Sequence, residues 1–338
     1  MTKKYVLNWK NGKIEISSLG CKMQPTFFLG EKKIKPLHSA GWINDKSKDF
    51  DELPGILKNL SGEFPCVPFG INSPIEEIAE EWKESYSEEP YVVNEAHGFS
   101  ANKDWELLDL KEHEATFKIR YPEIDNIDYL IRSIRINNVE QHKVSCSLEI
   151  FVKKDCELPI GLHPMIRIPN KYNKIKILPG DFKFGLTYPG ILLKNKTLGA
   201  IGEIFTNLDK VKGFSNEYID LSNPPFEGNF EDLFQLCGIN GNMKVRNYEE
   251  NYELNYNWDP EIFSSVLMWV SNKGREEYPW NNNHLTVGLE PISSAFGLST
   301  HVSNNLNNPI AKKSVSTSVK LYKNQPLKTE YSFSVEKI

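Results

Sequence analysis

Short runs in which every second residue is apolar recur along the whole chain, and they leave few folds open to it. The run Val144-Ser145-Cys146-Ser147-Leu148-Glu149-Ile150-Phe151-Val152 is the longest, and Thr116-Phe117-Lys118-Ile119-Arg120-Tyr121 is a shorter example. Val315 to Leu321 and Tyr331 to Val335 repeat the pattern near the end. A period of two places alternate side chains on one face of a strand. Many such strands, separated by clusters of Asn, Gly, Pro and Asp, predict an all-β chain with few short helices, arranged as a large antiparallel β-sandwich. Val266-Leu267-Met268-Trp269-Val270 is apolar throughout, as expected of a strand covered on both faces. One helix is expected from Ser73-Pro74-Ile75-Glu76, which offers an N-cap, a proline at the first helical position and an acid three residues after the cap. Ile75, Ile78, Ala79, Trp82 and Tyr86 would form its apolar face, and Glu76, Glu77, Glu80, Glu81 and Glu84 a solvated one.

Strands do not alternate with helices as a parallel nucleotide-binding sheet requires, and no repeat or low-complexity linker divides the chain. The best loop, Asn223 to Asn229, has strand patterns on both sides, so residues 1–338 are expected to form a single domain. Lys and Arg total 40 against 45 Asp and Glu, a net charge of -5, which gives no footprint for a nucleic-acid partner. The five cysteines are odd in number and never in a Cys-x-x-Cys pair, so they read as reduced thiols rather than a disulfide framework or zinc ribbon. The N-terminus lacks an apolar signal segment and no run is long enough to span a bilayer, so no membrane partner and a cytoplasmic location are expected. Charge and composition leave a monomer and a homodimer equally open.

Three punctuated positions carry titratable side chains. Asn283-His284-Leu285-Thr286-Val287-Gly288-Leu289-Glu290-Pro291 reads as a strand with Leu285, Val287 and Leu289 on one face and Glu290 on the other. Pro291 lacks a backbone donor, so the ladder is expected to stop there with Glu290 at a sheet rim. Taken alone, a strand-end glutamate is a solvated surface group. His97 precedes Gly98, whose missing Cβ allows backbone or ligand to come close, although a lone turn histidine is more simply a loop cap. His163 is held by Pro164, which biases it to an extended backbone, and its bland reading is a packed loop histidine.

Two imidazoles and a carboxylate form a possible acid/base set. A cyclic hemiacetal opens when a base takes the anomeric hydroxyl proton while an acid protonates the ring oxygen, and re-closure on the other face gives the opposite anomer. The same residues are a metal-ligand inventory, but no His-x-x-x-His spacing favours a metal, so none is expected. Sugars present apolar faces on which aromatic rings can stack. Of Trp42, Trp105, Trp269 and Trp280, Trp269 reads as core because it lies inside the apolar strand, and Trp280, between Pro279 and Asn281, as the ligand candidate. Cys66 reads as a packing residue.

At these residues the chain resembles the aldose 1-epimerase (galactose mutarotase-like) family. The His97-Gly98 turn with Trp105 after it, the His163-Pro164 step and Leu289-Glu290-Pro291 occur in that family's order. A bacterial branch of the superfamily is closer still. It is marked by Pro36-Leu37-His38 leading to Trp42, the stretch Leu60 to Gly70 that contains Gly62-Glu63-Phe64-Pro65-Cys66, and Trp269 to Arg275 with Pro279-Trp280. The resemblance spans roughly residues 30 to 300. It implies a cofactor-free isomerase acting on a small-molecule carbohydrate, with Glu290 as base, His163 as acid and His97 binding the sugar near the ring oxygen. It also implies an acidic residue that orients hydroxyls; Glu231 is preferred to Asp232 because it lies three residues before Phe234. The family's usual Asn-Arg pair ahead of the first histidine is replaced here by Gly62 to Cys66, so Arg275 or Arg167 is left to supply a guanidinium. For Arg167 a surface ion pair is the preferred reading. A carbohydrate-binding protein without turnover, and a lyase or hydrolase acting on polysaccharide in a long groove, are the competing expectations.

Overall fold

The computed structural model describes residues 2–71, 75–86, 95–136 and 142–338. Two eight-stranded antiparallel sheets dominate it. The outer sheet runs in the order Ile175–Pro179, Asn242–Asn247, Tyr252–Trp258, Leu327–Lys337, Lys143–Val152, Ile127–Ile136, Glu114–Arg120 and Glu106–Leu110. The inner sheet runs from Ile204–Phe205 through Phe184–Thr187, Phe230–Cys237, Ser265–Asn272 and Leu285–Ser293 to Ile160–Leu162 and Pro65–Cys66, with Met165–Arg167 also paired to Leu285–Ser293. A four-stranded sheet formed by residues 4–34 packs Leu7, Ile14, Met23 and Phe27 into the core that these two sheets share. The architecture is the antiparallel all-β one that the alternating runs predict, and the described helices span five residues or fewer. None of these helices is long and apolar enough to cross a membrane.

Side-chain alternation explains where the site lies. In the Lys143–Val152 strand every second residue is buried, because one face meets the inner sheet and the other meets solvent. The Ser265–Asn272 strand is buried at all eight positions. Val266, Met268 and Val270 join the core between the sheets, whereas Leu267 and Trp269 join a second cluster on the far face with Phe64, Cys66, Phe69, Trp280 and Phe296. The inner sheet is therefore covered on both sides, by the outer sheet and by long connections, which is why the Ser265–Asn272 strand is apolar from Val266 to Val270.

Three expectations are corrected. The helix at residues 73–86 is absent from its described part, and Ser73 and Pro74 lie outside the described residues. Glu76 instead bridges to Ile191, Ala79 N–H donates to Pro189 O at 2.8 Å, and Ile75 N–H donates to the Tyr86 hydroxyl at 3.0 Å. The Glu76 carbonyl and the Ala79 N–H, which a helix would pair internally, are thus taken by distant segments, and among the described residues of this stretch only Glu80–Trp82 forms a 3-10 turn. The 315–321 run is strand only over Val319–Leu321.

The third correction concerns Pro291. The ladder continues through it to Ser293, with Pro291 opposite Val266, so Glu290 lies inside the sheet rather than at its rim. Leu289 N–H points toward the interrupted neighbour, donating to Pro164 O at 3.0 Å. By alternation the nitrogen of Pro291 faces the same side. That neighbour is broken between its pairings at Gly288 and Ile292, so no ladder bond is demanded of the proline there.

Candidate functional site

The break opposite Glu290 is the His163-Pro164 step. His163 connects Ile160–Leu162 to Met165–Arg167, and its N–H donates to Phe64 O at 2.8 Å. The extended residue imposed by the following proline thus turns the imidazole onto the covered face of the inner sheet, where alternation also puts Glu290. The two side chains meet there, with His163 Nε2 3.4 Å from Glu290 Oε1 and both buried. Phe64 stacks on the other side of the imidazole at 4.7 Å between centroids and 16° between planes.

His97 reaches the same point from a turn. It has a left-handed backbone, φ 60°, followed by Gly98 at φ 77°, and it leads into the Gly98–Asn102 helix. A Cβ on Gly98 would collide with the carbonyls of Val67 and Pro68, so only glycine lets this turn press onto the Pro65–Cys66 strand. The helix is bound there by Ser100, whose hydroxyl donates to Pro65 O and accepts from Val67 N–H. The imidazoles of His97 and His163 then stand edge to face, 5.0 Å apart at 88°.

A third group comes from the strands beyond Glu290. Glu231 Oε1 accepts from Trp269 Nε1 at 2.7 Å and from Arg275 Nε at 2.8 Å, and the Arg275 guanidinium lies 4.9 Å over the Trp280 ring. Asp232 takes the opposite face by alternation and accepts the backbone N–H groups of Leu198, Gly199 and Leu233. It is not brought to the site, and burial raises its carboxyl to about 7 despite those bonds. Arg167 lies at the surface, bonded to Lys35 O and paired with Glu250. Trp105 is buried in the core between the sheets, and Trp42 packs edge-on behind Trp280.

His97, His163, Glu290, Trp269, Arg275 and Trp280 line a cavity of about 330 Å³, closed by apolar residues such as Ile56 and Leu60. That is the lower end of the range for small-molecule sites. Four buried atoms around it have no protein partner: Nδ1 of His97, Nδ1 of His163, Oε2 of Glu231 and Oε2 of Glu290. Unpaired buried polar atoms are costly, and three of these four belong to residues that line the cavity, His97, His163 and Glu290.

Burial sets the proton chemistry. It pushes the Glu290 carboxyl well above the usual carboxylate range. It pushes His163 well below the imidazole range, with His97 and Lys22 adding to the effect, and brings His97 down to about 3. In contact, the pair holds one proton over a wide pH span, and an imidazole and carboxyl 3.4 Å apart can pass it between them or through a bound ligand. Among the described residues no group of three or more His, Cys, Asp or Glu is arranged to hold a metal ion.

Trp269 belongs to the buried core, as its apolar run predicts. On the covered face, which it shares with Leu267, it also lines the cavity. The run shows burial on two faces but not that one face opens onto a cavity. Lys22 and the position of Phe64 against His163 carried no local signal.

The fold is that of the galactose mutarotase-like proteins, as solved structures show. The chain aligns over 100% of its length and 100% of theirs with a candidate aldose 1-epimerase from Escherichia coli K12 (15% identity, TM-score 0.65) and with an aldose epimerase homologue from C. elegans (11%, 0.62). A galactose mutarotase related enzyme from Lactobacillus acidophilus aligns over 99% of this chain and 98% of its own, at 13% identity and a TM-score of 0.57. No protein-family model matches the chain, and no curated protein matches it in sequence.

Proposed function

We propose that this protein interconverts the anomers of an aldose or a closely related small carbohydrate by general acid/base ring opening. The observation that carries the proposal is the buried contact of His163 with Glu290 on the wall of a cavity sized for one small ligand. The two oxygens of a hemiacetal are bonded to the same carbon, so the groups that serve them must lie side by side. With the pair's single proton passed from Glu290 to His163, the Glu290 carboxylate takes the proton from the anomeric hydroxyl, the C1–ring-oxygen bond breaks, and His163 gives its proton to the ring oxygen. Rotation about the C1–C2 bond presents the other face of the aldehyde, and the reverse transfers close the ring. One proton leaves each donor and one reaches each acceptor, so no cofactor is invoked.

His97 supports His163 and offers Nδ1 near the ring oxygen. Glu231, with Arg275 bonded to it, accepts and donates to ring hydroxyls, and Trp280 with Trp269 supplies aromatic surface for the apolar face of the sugar. Polarimetry on freshly dissolved aldoses tests the reading. Purified protein is expected to speed equilibration, and Glu290→Gln to slow it by roughly 10²–10⁴-fold with the fold retained. Sugar binding by the folded protein without turnover, unchanged in Glu290→Gln, would instead identify a binding or sensing protein.

A further inference from the structure

Lys22 opens the strand Lys22–Leu29 and points inward behind the cavity wall. Its Nζ donates to Ile56 O at 2.8 Å and stands 4.8 Å over the Phe64 ring, on whose surface His163 also stacks. Among the described residues no carboxylate pairs with it. Glu63, the neighbour of Phe64 in the chain, is engaged by Arg132 and the Tyr331 hydroxyl, and Glu290 faces His163. Cys66, also near, is kept protonated because burial pushes its thiol well up. Glu95, beside His97, is taken by Lys103. An ammonium buried without a counter-ion is expensive, and a methionine of similar length would avoid the cost.

We propose that Lys22 is a positioning residue for the site: held behind Phe64, its ammonium sets a fixed positive charge at the back of the His97–His163 pair. The charge opposes formation of imidazolium at both histidines, in line with the direction in which each is displaced. Its catalytic consequence rests on the ring-opening reading: a less basic His163 is a stronger acid toward the ring oxygen. The electrostatic coupling itself does not rest on that reading. Desolvation also brings the Lys22 amine down to about 7, so the charge is present on the acid side of neutrality and fades above it.

The spacings on either side of Phe64 put Nζ within about 9.5 Å of the His163 centroid. At an effective dielectric of about 20, that separation corresponds to a shift of roughly one pH unit between the two groups. NMR of the imidazole Cε1 resonances in the full-length protein reads the coupling without reference to activity. In the wild type, His97 and His163 are expected to show a step near neutral pH as Lys22 loses its proton. Lys22→Met should abolish the step and move the acid limb of any pH–rate profile up by roughly one unit. A purely structural Lys22 would leave the imidazole titrations unmoved. Absence of the step at both histidines in the wild type, or its persistence in folded Lys22→Met, overturns the proposal; the wild-type measurement alone decides if the variant does not fold. Absence of mutarotation with the step intact refutes the proposed function and leaves this inference standing.

Discussion

Gly288 lies two residues before Glu290 on the same strand face, and a single added methyl there tests how closely the site must be held. A Cβ at position 288 would fall well inside contact distance of Glu290 Oε1, 3.2 Å from its Cδ and 3.2 Å from Trp269 Cβ. Its backbone φ is not positive, so Gly288→Ala introduces no backbone strain and the conflict is confined to these neighbours. The carboxylate is the movable end of a side chain, and restoring ordinary contact requires it to withdraw by about 1 Å. A displacement of that size at a reacting group costs roughly 10²-fold in rate. The fold should survive, because the tightest clash falls on a side-chain terminus and Trp269 Cβ need give only a few tenths of an ångström; the expected stability loss is about 1–3 kcal/mol from overpacking. Mutarotation followed by polarimetry, with a urea titration on the same sample, separates the two effects. Wild-type turnover in folded Gly288→Ala would refute the assignment of Glu290 to the reacting centre.

Three further outcomes follow from the same geometry. Turnover should depend on pH as a bell that requires one proton on the His163–Glu290 pair. The acid limb, where His163 takes a second proton, should lie below the usual imidazole range, and the alkaline limb, where Glu290 loses the last one, above the usual carboxylate range; an acid limb at an ordinary imidazole value would contradict the burial argument. Arg275→Leu removes a charge-assisted hydrogen bond from buried Glu231, so sugar affinity should fall by roughly tenfold or more in a KM or calorimetric measurement, and unchanged affinity would remove Glu231 and Arg275 from the binding set. Arg132→Met leaves Glu63 as a buried carboxylate whose remaining partner is Tyr331, and denaturant unfolding should register a loss of about 3–5 kcal/mol.

The alternating runs settle strand identity and which residues share a face, because a period of two follows from local backbone geometry alone. Lys143–Val152 and the division of Val287 and Leu289 from Glu290 could be read that way. The same local rule separates Glu231 from Asp232. What local patterns cannot contain is the partner a segment will meet. The residues after Ser73 carry helix signals, yet Pro189 and Ile191, more than a hundred residues away, claim their backbone bonds. Pro291 looks like a terminator, yet it sits where the neighbouring strand is already broken by His163-Pro164, so the ladder passes through it. The His97, His163 and Glu290 set was chosen from order and punctuation, but their contact, the orientation of Trp269 into the cavity, and the Lys22 ammonium behind Phe64 exist only once strands distant in sequence are hydrogen-bonded side by side. Burial and pairing are long-range quantities. The sequence specifies which groups are available, and the paired sheets decide which of them are dry, adjacent and charged.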